Sequence, residues 1–162
     1  MTESVCAALR LDEEILDSET GSISCEFRSR SDGNLFALRG GDGISLELRI
    51  VGSSLVYEAT VPGRWSKLEA EDVRSLDDGR WHSAVVTVSS AGTRLYLDGY
   101  QVFCGTTTTF LKDLPGLTQA VVGQGDSPEV TAFTVHPRVL TSREVLALSK
   151  RAEPLVEVAA NR

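Results

Sequence analysis

The feature that most constrains the fold is an alternation of apolar and polar side chains with a period of two. It is clearest over residues 44–50, where four aliphatic side chains alternate with three polar ones: Ile44, Leu46, Leu48 and Ile50 against Ser45, Glu47 and Arg49. Successive side chains of a β-strand point to opposite faces of the sheet, so this pattern predicts a strand with one buried face. Residues 22–28 show the same pattern and predict a second such strand.

Shorter segments of similar character, separated by turn residues, extend the pattern along the chain. They predict strands over about residues 35–38, 55–61, 81–88, 93–97, 100–103, 120–122 and 130–135. Asp98-Gly99 is the strongest hairpin signal, because both residue types tolerate positive φ. Residues 62–79 read as a long irregular connection, and residues 9–16 fit either a strand or a helical turn. Many short strands at regular spacing predict an all-β, two-sheet antiparallel sandwich.

The end of the chain differs from the rest. Thr141 and Ser142 precede a segment in which Glu144 falls in the first turn, which predicts a short C-terminal helix. Cys6, Cys25 and Cys104 have neither zinc-site nor disulfide spacing, and Cys25 fits a buried free thiol. We therefore expect no metal and no cofactor.

Charge and length limit the partners. The 162 residues suit one domain, and the net charge of −7 argues against nucleic acid or anionic membrane as a partner. No apolar run approaches the roughly 18 residues of a membrane span, and the first residues lack the pattern of a signal peptide. A complete chain would then be cytoplasmic, whereas one excised from a larger secreted protein would be extracellular. The oligomeric state is left open.

Two sets of residues resemble known families. The first, Asp78-Gly79-Arg80-Trp81-His82 followed by Leu95-Tyr96-Leu97-Asp98-Gly99, resembles a signature of laminin G and concanavalin A-like domains. The second, residues 110–117 with 120–123 and then 139–146, resembles the lectin-like N-terminal domain of sialidases, a family of sialic-acid-binding carbohydrate-binding modules. The resemblance spans about residues 20–148. It implies a jelly-roll sandwich forming one lectin-like domain over residues 1–162, in which His82 has a structural role.

The same resemblance implies a binding site on a concave sheet. Family members hold the carboxylate of sialic acid with arginines, whose planar guanidinium matches a carboxylate with two hydrogen bonds. The family's "E-x-R" strand becomes Glu58-Ala59-Thr60 here, and its second arginine is replaced by the segment that contains Gln124 and Asp126. At about 1.5–3 kcal/mol for each charge-assisted hydrogen bond, these losses predict that the ligand is not sialic acid. Arg28 or Arg49 would be the substitute cations.

Alternation alone also predicts a polar cluster. The polar members of two strands joined at Gly52 would lie side by side on one face: Ser45, Glu47, Arg49, Glu58 and Thr60. This cluster is either the floor of a ligand site or a solvated Glu–Arg pairing. Trp65 would either stack on a ligand at this face or pack its own loop.

Three functions follow as hypotheses. The first is a glycan- or small-molecule-binding module that uses six residues: Glu47, Arg49, Glu58, Thr60, Gln124 and Asp126. The alternative is an enzyme in which Glu58 and His136 act as acid and base on a small metabolite, in a cyclisation, isomerisation or hydrolysis. The third is a protein-interaction domain of laminin G type.

Overall fold

The computed structural model describes residues 7–10, 13–41, 43–71, 73, 75–114, 116–123 and 127–152, and Cys6 lies outside them. Two antiparallel sheets form a sandwich, with strand order β1-β10-β3-β4-β5-β6 in one and β11-β2-β7-β8-β9 in the other. The strands are β1 (Ala7–Arg10), β2 (Gly21–Arg28), β3 (Gly33–Gly40), β4 (Ser45–Val51), β5 (Ser54–Val61), β6 (Arg64–Ala70), β7 (Trp81–Ser89), β8 (Gly92–Leu97), β9 (Tyr100–Gly105), β10 (Leu117–Val122) and β11 (Glu129–His136). The helices are α1 (Glu13–Leu16), a 3-10 turn (Leu111–Asp113) and α2 (Ser142–Ala152).

The core lies between the inner faces of the two sheets and confirms the alternation of the sequence. On β4 the side chains of Leu46, Leu48 and Ile50 are fully buried, whereas the polar residues between them are partly exposed. The facing sheet contributes buried side chains from β2, β7 and β8, among them Phe27, Val86 and Leu95. Cys25 is buried and free, and burial raises the pKa of its thiol to about 12. The predicted all-β sandwich is therefore confirmed.

Helix α2 covers part of the outer face of the five-stranded sheet. Its Val145 and Leu148 pack with Leu140 against Val85 and Tyr96 of that sheet. The helix begins as the sequence predicted, with a reciprocal capping pair: the Glu144 backbone N–H donates to Thr141 Oγ1 at 3.1 Å, and the Thr141 N–H donates to Glu144 Oε1 at 2.9 Å.

Two segments differ from the sequence expectations. Residues 62–79 are not wholly irregular, because they contain β6, which pairs with β5 along its whole length. Pro62 and Gly63 form the turn between these strands, with Gly63 at φ 80°, a conformation that a Pro-Gly pair favours. Residues 9–16 contain the end of β1 and then α1, so both alternatives hold for part of that segment.

His82 joins two turns at one end of the five-stranded sheet. The predicted hairpin turn is present, with Asp98 at φ 52° and Gly99 at φ 92°. The carboxylate of Asp98 accepts the Ser83 backbone N–H at 3.0 Å and lies 2.9 Å from His82 Nδ1. His82 Nε2 lies 3.0 Å from Asp78 Oδ1, and the His82 side chain is almost fully buried. These contacts match the structural role expected of His82.

The His82 network predicts a specific pH dependence of stability. Burial alone lowers the pKa of His82, but the hydrogen bonds to Asp98 and Asp78 outweigh it, so the pKa is raised above 6.5. The network therefore contributes its full stabilisation at pH values below the pKa that His82 has in the unfolded chain. This contribution is lost as the pH rises through the pKa of His82 in the folded protein. We expect His82→Gln to cost about 2 kcal/mol near pH 6 and less at higher pH, measured by urea unfolding.

His136→Gln is the matched control, since burial and the nearby Arg138 lower the pKa of His136. The pH dependence of its effect should have the opposite sign. A His82→Gln cost that stays constant or grows with pH would contradict the assignment.

Candidate functional site

The register of β4, β5 and β6 places the predicted polar residues together on the outer face of the six-stranded sheet. Glu47 lies directly opposite Glu58, and Thr60 lies between Ser45 and Trp65. Side chains directly opposite on adjacent strands share one face. We call this surface the polar face and define it by its residues on the three strands: Ser45, Glu47, Arg49, Glu58, Thr60, Trp65 and Lys67.

Arg49 is the centre of the charge pattern on the polar face. Its Nη1 lies 2.7 Å from Glu58 Oε1 and 3.4 Å from Glu47 Oε1, so one guanidinium bridges two strands. All three side chains are about a quarter exposed. The arrangement holds the carboxylates in place while leaving part of each group open to a ligand.

Trp65 lies beside these charges. Although it is a large hydrophobic residue, 63% of its surface is exposed to solvent. Its indole Nε1–H donates to Glu58 Oε2, which fixes the ring orientation. This hydrogen bond, together with the contacts from Arg49, lowers the pKa of Glu58 despite the opposing effect of burial. Glu58 is therefore an ionised acceptor at neutral pH.

A groove opens next to Trp65, where the edge of β6 approaches the segment after β9. The volume of the groove is about 280 Å³. A hydrogen bond from Thr93 Oγ1 to the Thr107 carbonyl, at 2.6 Å, holds one wall in place. We call it the threonine groove; its lining residues are Ala59, Val61, Trp65, Ser66, Thr106, Thr107, Thr108 and Thr109. These described side chains are uncharged. Besides the Trp65 ring, the threonines and Ser66 supply hydroxyl groups, and the threonines, Ala59 and Val61 supply methyl groups.

The structure brings four of the predicted site residues together and separates another. Glu47, Arg49, Glu58 and Thr60 share the polar face, whereas His136 lies on β11 in the other sheet. β11 pairs with β2, and the Nε2 of His136 lies 3.1 Å from the Oγ of Ser24 on β2. The expectation that His136 reaches the face of Glu58 is therefore not met.

Two further predicted residues, Gln124 and Asp126, lie outside the residues that the structure describes. Arg28, the other substitute cation, is on the five-stranded sheet. It pairs with Glu129 at 2.7 Å and lies 4.9 Å above the ring of Trp81. Arg28 is thus not a cation of the polar face.

Sequence reasoning missed the threonine groove and the strand position of Trp65. The signal for β6 is the alternation after Pro62-Gly63, in which Leu68 and Ala70 turn inward and Trp65 turns outward. The run of four threonines at 106–109 is visible in the sequence, but only the sandwich brings it beside Trp65.

Metal and membrane signals are absent from the described part of the chain. Within those ranges no three His, Cys, Asp or Glu side chains are grouped to hold a metal ion. No described helix combines the length and the apolar character that crossing a bilayer requires.

A family comparison agrees with this architecture. Residues 6–145 match the family model of the concanavalin A-like lectin/glucanases superfamily, a laminin G-type model. The match covers most of the chain, so the chain belongs to this superfamily. No curated protein matches its sequence.

Solved structures share the fold at low sequence identity. The CBM40 domain of the Ruminococcus gnavus IT-sialidase is 15% identical with a TM-score of 0.71, and the match covers 92% of this chain and 95% of that domain. The same domain bound to α2,6 sialyllactose gives a TM-score of 0.72. Domain 4 of AbnA, a GH43 extracellular arabinanase from Geobacillus stearothermophilus in complex with arabinotriose, is 15% identical with a TM-score of 0.68, covering 88% of this chain and 72% of that one. The expected resemblance to the sialidase-type lectin-like module is confirmed at the level of the fold.

The Glu58 contacts lead to a testable prediction. Arg49→Met removes a cation that lowers the pKa of Glu58, so this pKa should rise towards its ordinary value of 4.5. The Trp65 indole N–H resonance, which reports on the Glu58 carboxylate, should follow the titration by NMR. The chain contains two tryptophans, so the indole of Trp81 serves as an internal control. An unchanged midpoint in Arg49→Met would contradict the arrangement.

Proposed function

We propose that this protein is a glycan-binding module whose ligand lies along the polar face and the threonine groove. The observation that carries the proposal is the exposed indole of Trp65, held by Glu58 at the boundary between the two surfaces. Solved domains of the same fold hold sialyllactose and arabinotriose, which supports a carbohydrate as the ligand class.

Trp65 supplies the kind of surface that a sugar ring requires. An aromatic side chain offers a large apolar face at low conformational cost, and its N–H remains a polar handle. Here the N–H is already bound to Glu58, so the ring is oriented before a ligand arrives. Because the groove beside the ring is lined by hydroxyl and methyl groups, it suits the mixed polar and apolar edge of a neutral sugar.

The charged part of the polar face gives the site its directional contacts. Glu58 and Glu47 present carboxylate oxygens that accept from sugar hydroxyls, and Arg49 presents donors. The three groups are held by one another, so little side-chain entropy is lost on binding. A glycan of two or more residues would span from the groove to these charges.

The same charges argue against sialic acid as the specific ligand. Thr60 stands where the resembling family has an arginine, and Arg49 is already shared between two carboxylates. A sialic acid carboxylate would have to compete with Glu47 and Glu58 for that guanidinium. We therefore propose a neutral glycan.

Catalysis is the weaker alternative. A general acid at neutral pH needs a raised carboxyl pKa, whereas the pKa of Glu58 is lowered. The proposed partner His136 lies on the opposite sheet. These two observations favour binding over an acid–base reaction at this face.

A glycan array followed by calorimetry tests the proposal. We expect binding to neutral oligosaccharides, including arabino-oligosaccharides, and weaker or no binding to sialyllactose. Trp65→Ala should weaken binding by about tenfold or more, because it removes the stacking surface. Tyr100→Ala is the matched control, since Tyr100 has a similar exposure, 69%, but lies on β9 of the other sheet.

Equal loss of binding in Trp65→Ala and Tyr100→Ala would overturn the site assignment. Tight and selective binding of sialyllactose would overturn the argument from Arg49 and Thr60. Absence of any glycan binding would overturn the function itself.

A further inference from the structure

A second pocket lies on the outer face of the five-stranded sheet, opposite the polar face. It has a volume of about 270 Å³ and is formed where β2, β7 and β11 meet α2. Leu148 of the helix and Val85 of β7 form an apolar wall. Its volume is slightly below the roughly 300–1,000 Å³ typical of sites for drug-sized ligands, so it suits a smaller molecule.

Apart from Cys25 and Ala132, the rest of the described lining is polar, and it contains one buried hydroxyl without a partner. The Oγ of Ser83 is fully buried and makes no hydrogen bond, although buried hydroxyls are usually paired. Glu26 adds a partly exposed carboxylate to the lining. Ser24 and Thr134 complete the polar lining, with His136 bonded to Ser24 through Nε2.

The backbone beside this pocket is irregular in a way that shapes it. β11 changes its register against β2 between Thr131 and Thr134, and Ala132 at this bulge has φ 53°. An alanine rarely adopts a positive φ. Bulges are frequent next to active sites, because they redirect side chains. The bulge places Thr134 and Ala132 on the pocket rim.

The charge pattern limits what the pocket can take. No lysine or arginine is among the described residues that line it, and Glu26 would repel an anion. Burial lowers the pKa of His136, Arg138 lowers it further, and Glu144 of α2 opposes them only in part, so the imidazole is neutral at pH 7. A neutral imidazole, hydroxyl groups and one carboxylate offer donors and acceptors together, beside an apolar wall.

We propose that this pocket is a second binding site, which takes a neutral polyhydroxylated molecule of about monosaccharide size. The site is separate from the polar face because the two lie on the outer faces of opposite sheets. Because neither site shares residues with the other, this inference goes beyond the proposed function and does not depend on it.

NMR titration of the two histidine imidazoles in the full chain tests the proposal. The probes are D-glucose, L-arabinose, glycerol and tetramethylammonium chloride, each added alone. We expect at least one of the two sugars to give a saturable shift of the His136 resonances with a millimolar Kd. His82 does not line the pocket and is buried against Phe27, so its resonances should not respond. The same response should be seen in Trp65→Ala, which separates failure of this site from failure of the polar face.

Ser83→Ala and Glu26→Gln are the test variants. Each should raise the Kd read from the His136 shifts about tenfold, because Ser83→Ala removes a hydroxyl and Glu26→Gln replaces a charged acceptor by a neutral amide. Ser83→Ala should not lower the Tm, since its hydroxyl has no partner in the protein. Ser90→Ala, an exposed serine outside the pocket, is the matched control and should leave the response unchanged.

Three results would overturn the proposal. The first is the absence of any saturable His136 shift with sugar up to about 100 mM, a concentration at which even weak sites bind. The second is saturation by tetramethylammonium but not by the sugars, which would make the pocket a cation site. The third is an unchanged response in both Ser83→Ala and Glu26→Gln.

Discussion

Packing of two aliphatic sheet faces against each other is the interaction on which the rest of the structure depends. Leu46, Leu48 and Ile50 of one sheet and Phe27 and Val86 of the other lose all contact with water. Each such side chain contributes about 1.5–3 kcal/mol when buried. Because side chains alternate along a strand, burying one set fixes the other set on the outside. A slip of one residue in β4 would bury Glu47 and Arg49 and expose the aliphatic set, so the register is strongly determined.

The polar face is a consequence of that register, and its charges do little for stability. Ion pairs that are about a quarter exposed are screened by water and contribute roughly 0–1 kcal/mol each. Their effect is on geometry: Arg49 holds Glu58, and Glu58 holds the ring of Trp65. A surface whose side chains fix one another is suited to binding a weakly interacting ligand such as a sugar, since less entropy is lost when it binds.

Among the described residues, a helix packs on the outer face of the five-stranded sheet and none packs on the polar face, which makes the two outer faces different. α2 packs Val145 and Leu148 onto Val85 and Tyr96, which removes an apolar patch from water. The small pocket beside Ser83 and His136 lies at the edge of α2, and Leu148 of this helix closes the pocket on one side. The polar face has a different character, with charges and an exposed indole. One fold thus presents two chemically distinct surfaces on its opposite sides.

The sequence by itself determined the strands with strong alternation, the Asp98-Gly99 hairpin, the start of α2, and the grouping of Glu47, Arg49, Glu58 and Thr60. These features are local: period-two patterning sets the face of each residue, and a short turn at Gly52 sets which residues become neighbours. Strand β6 was missed because an edge strand needs few apolar residues, so its pattern is weak. Only the tertiary structure decided that the threonines at 106–109 lie beside Trp65, and that His136 belongs to the opposite sheet from Glu58. Both depend on the order of strands far apart in the chain, which side-chain alternation does not encode.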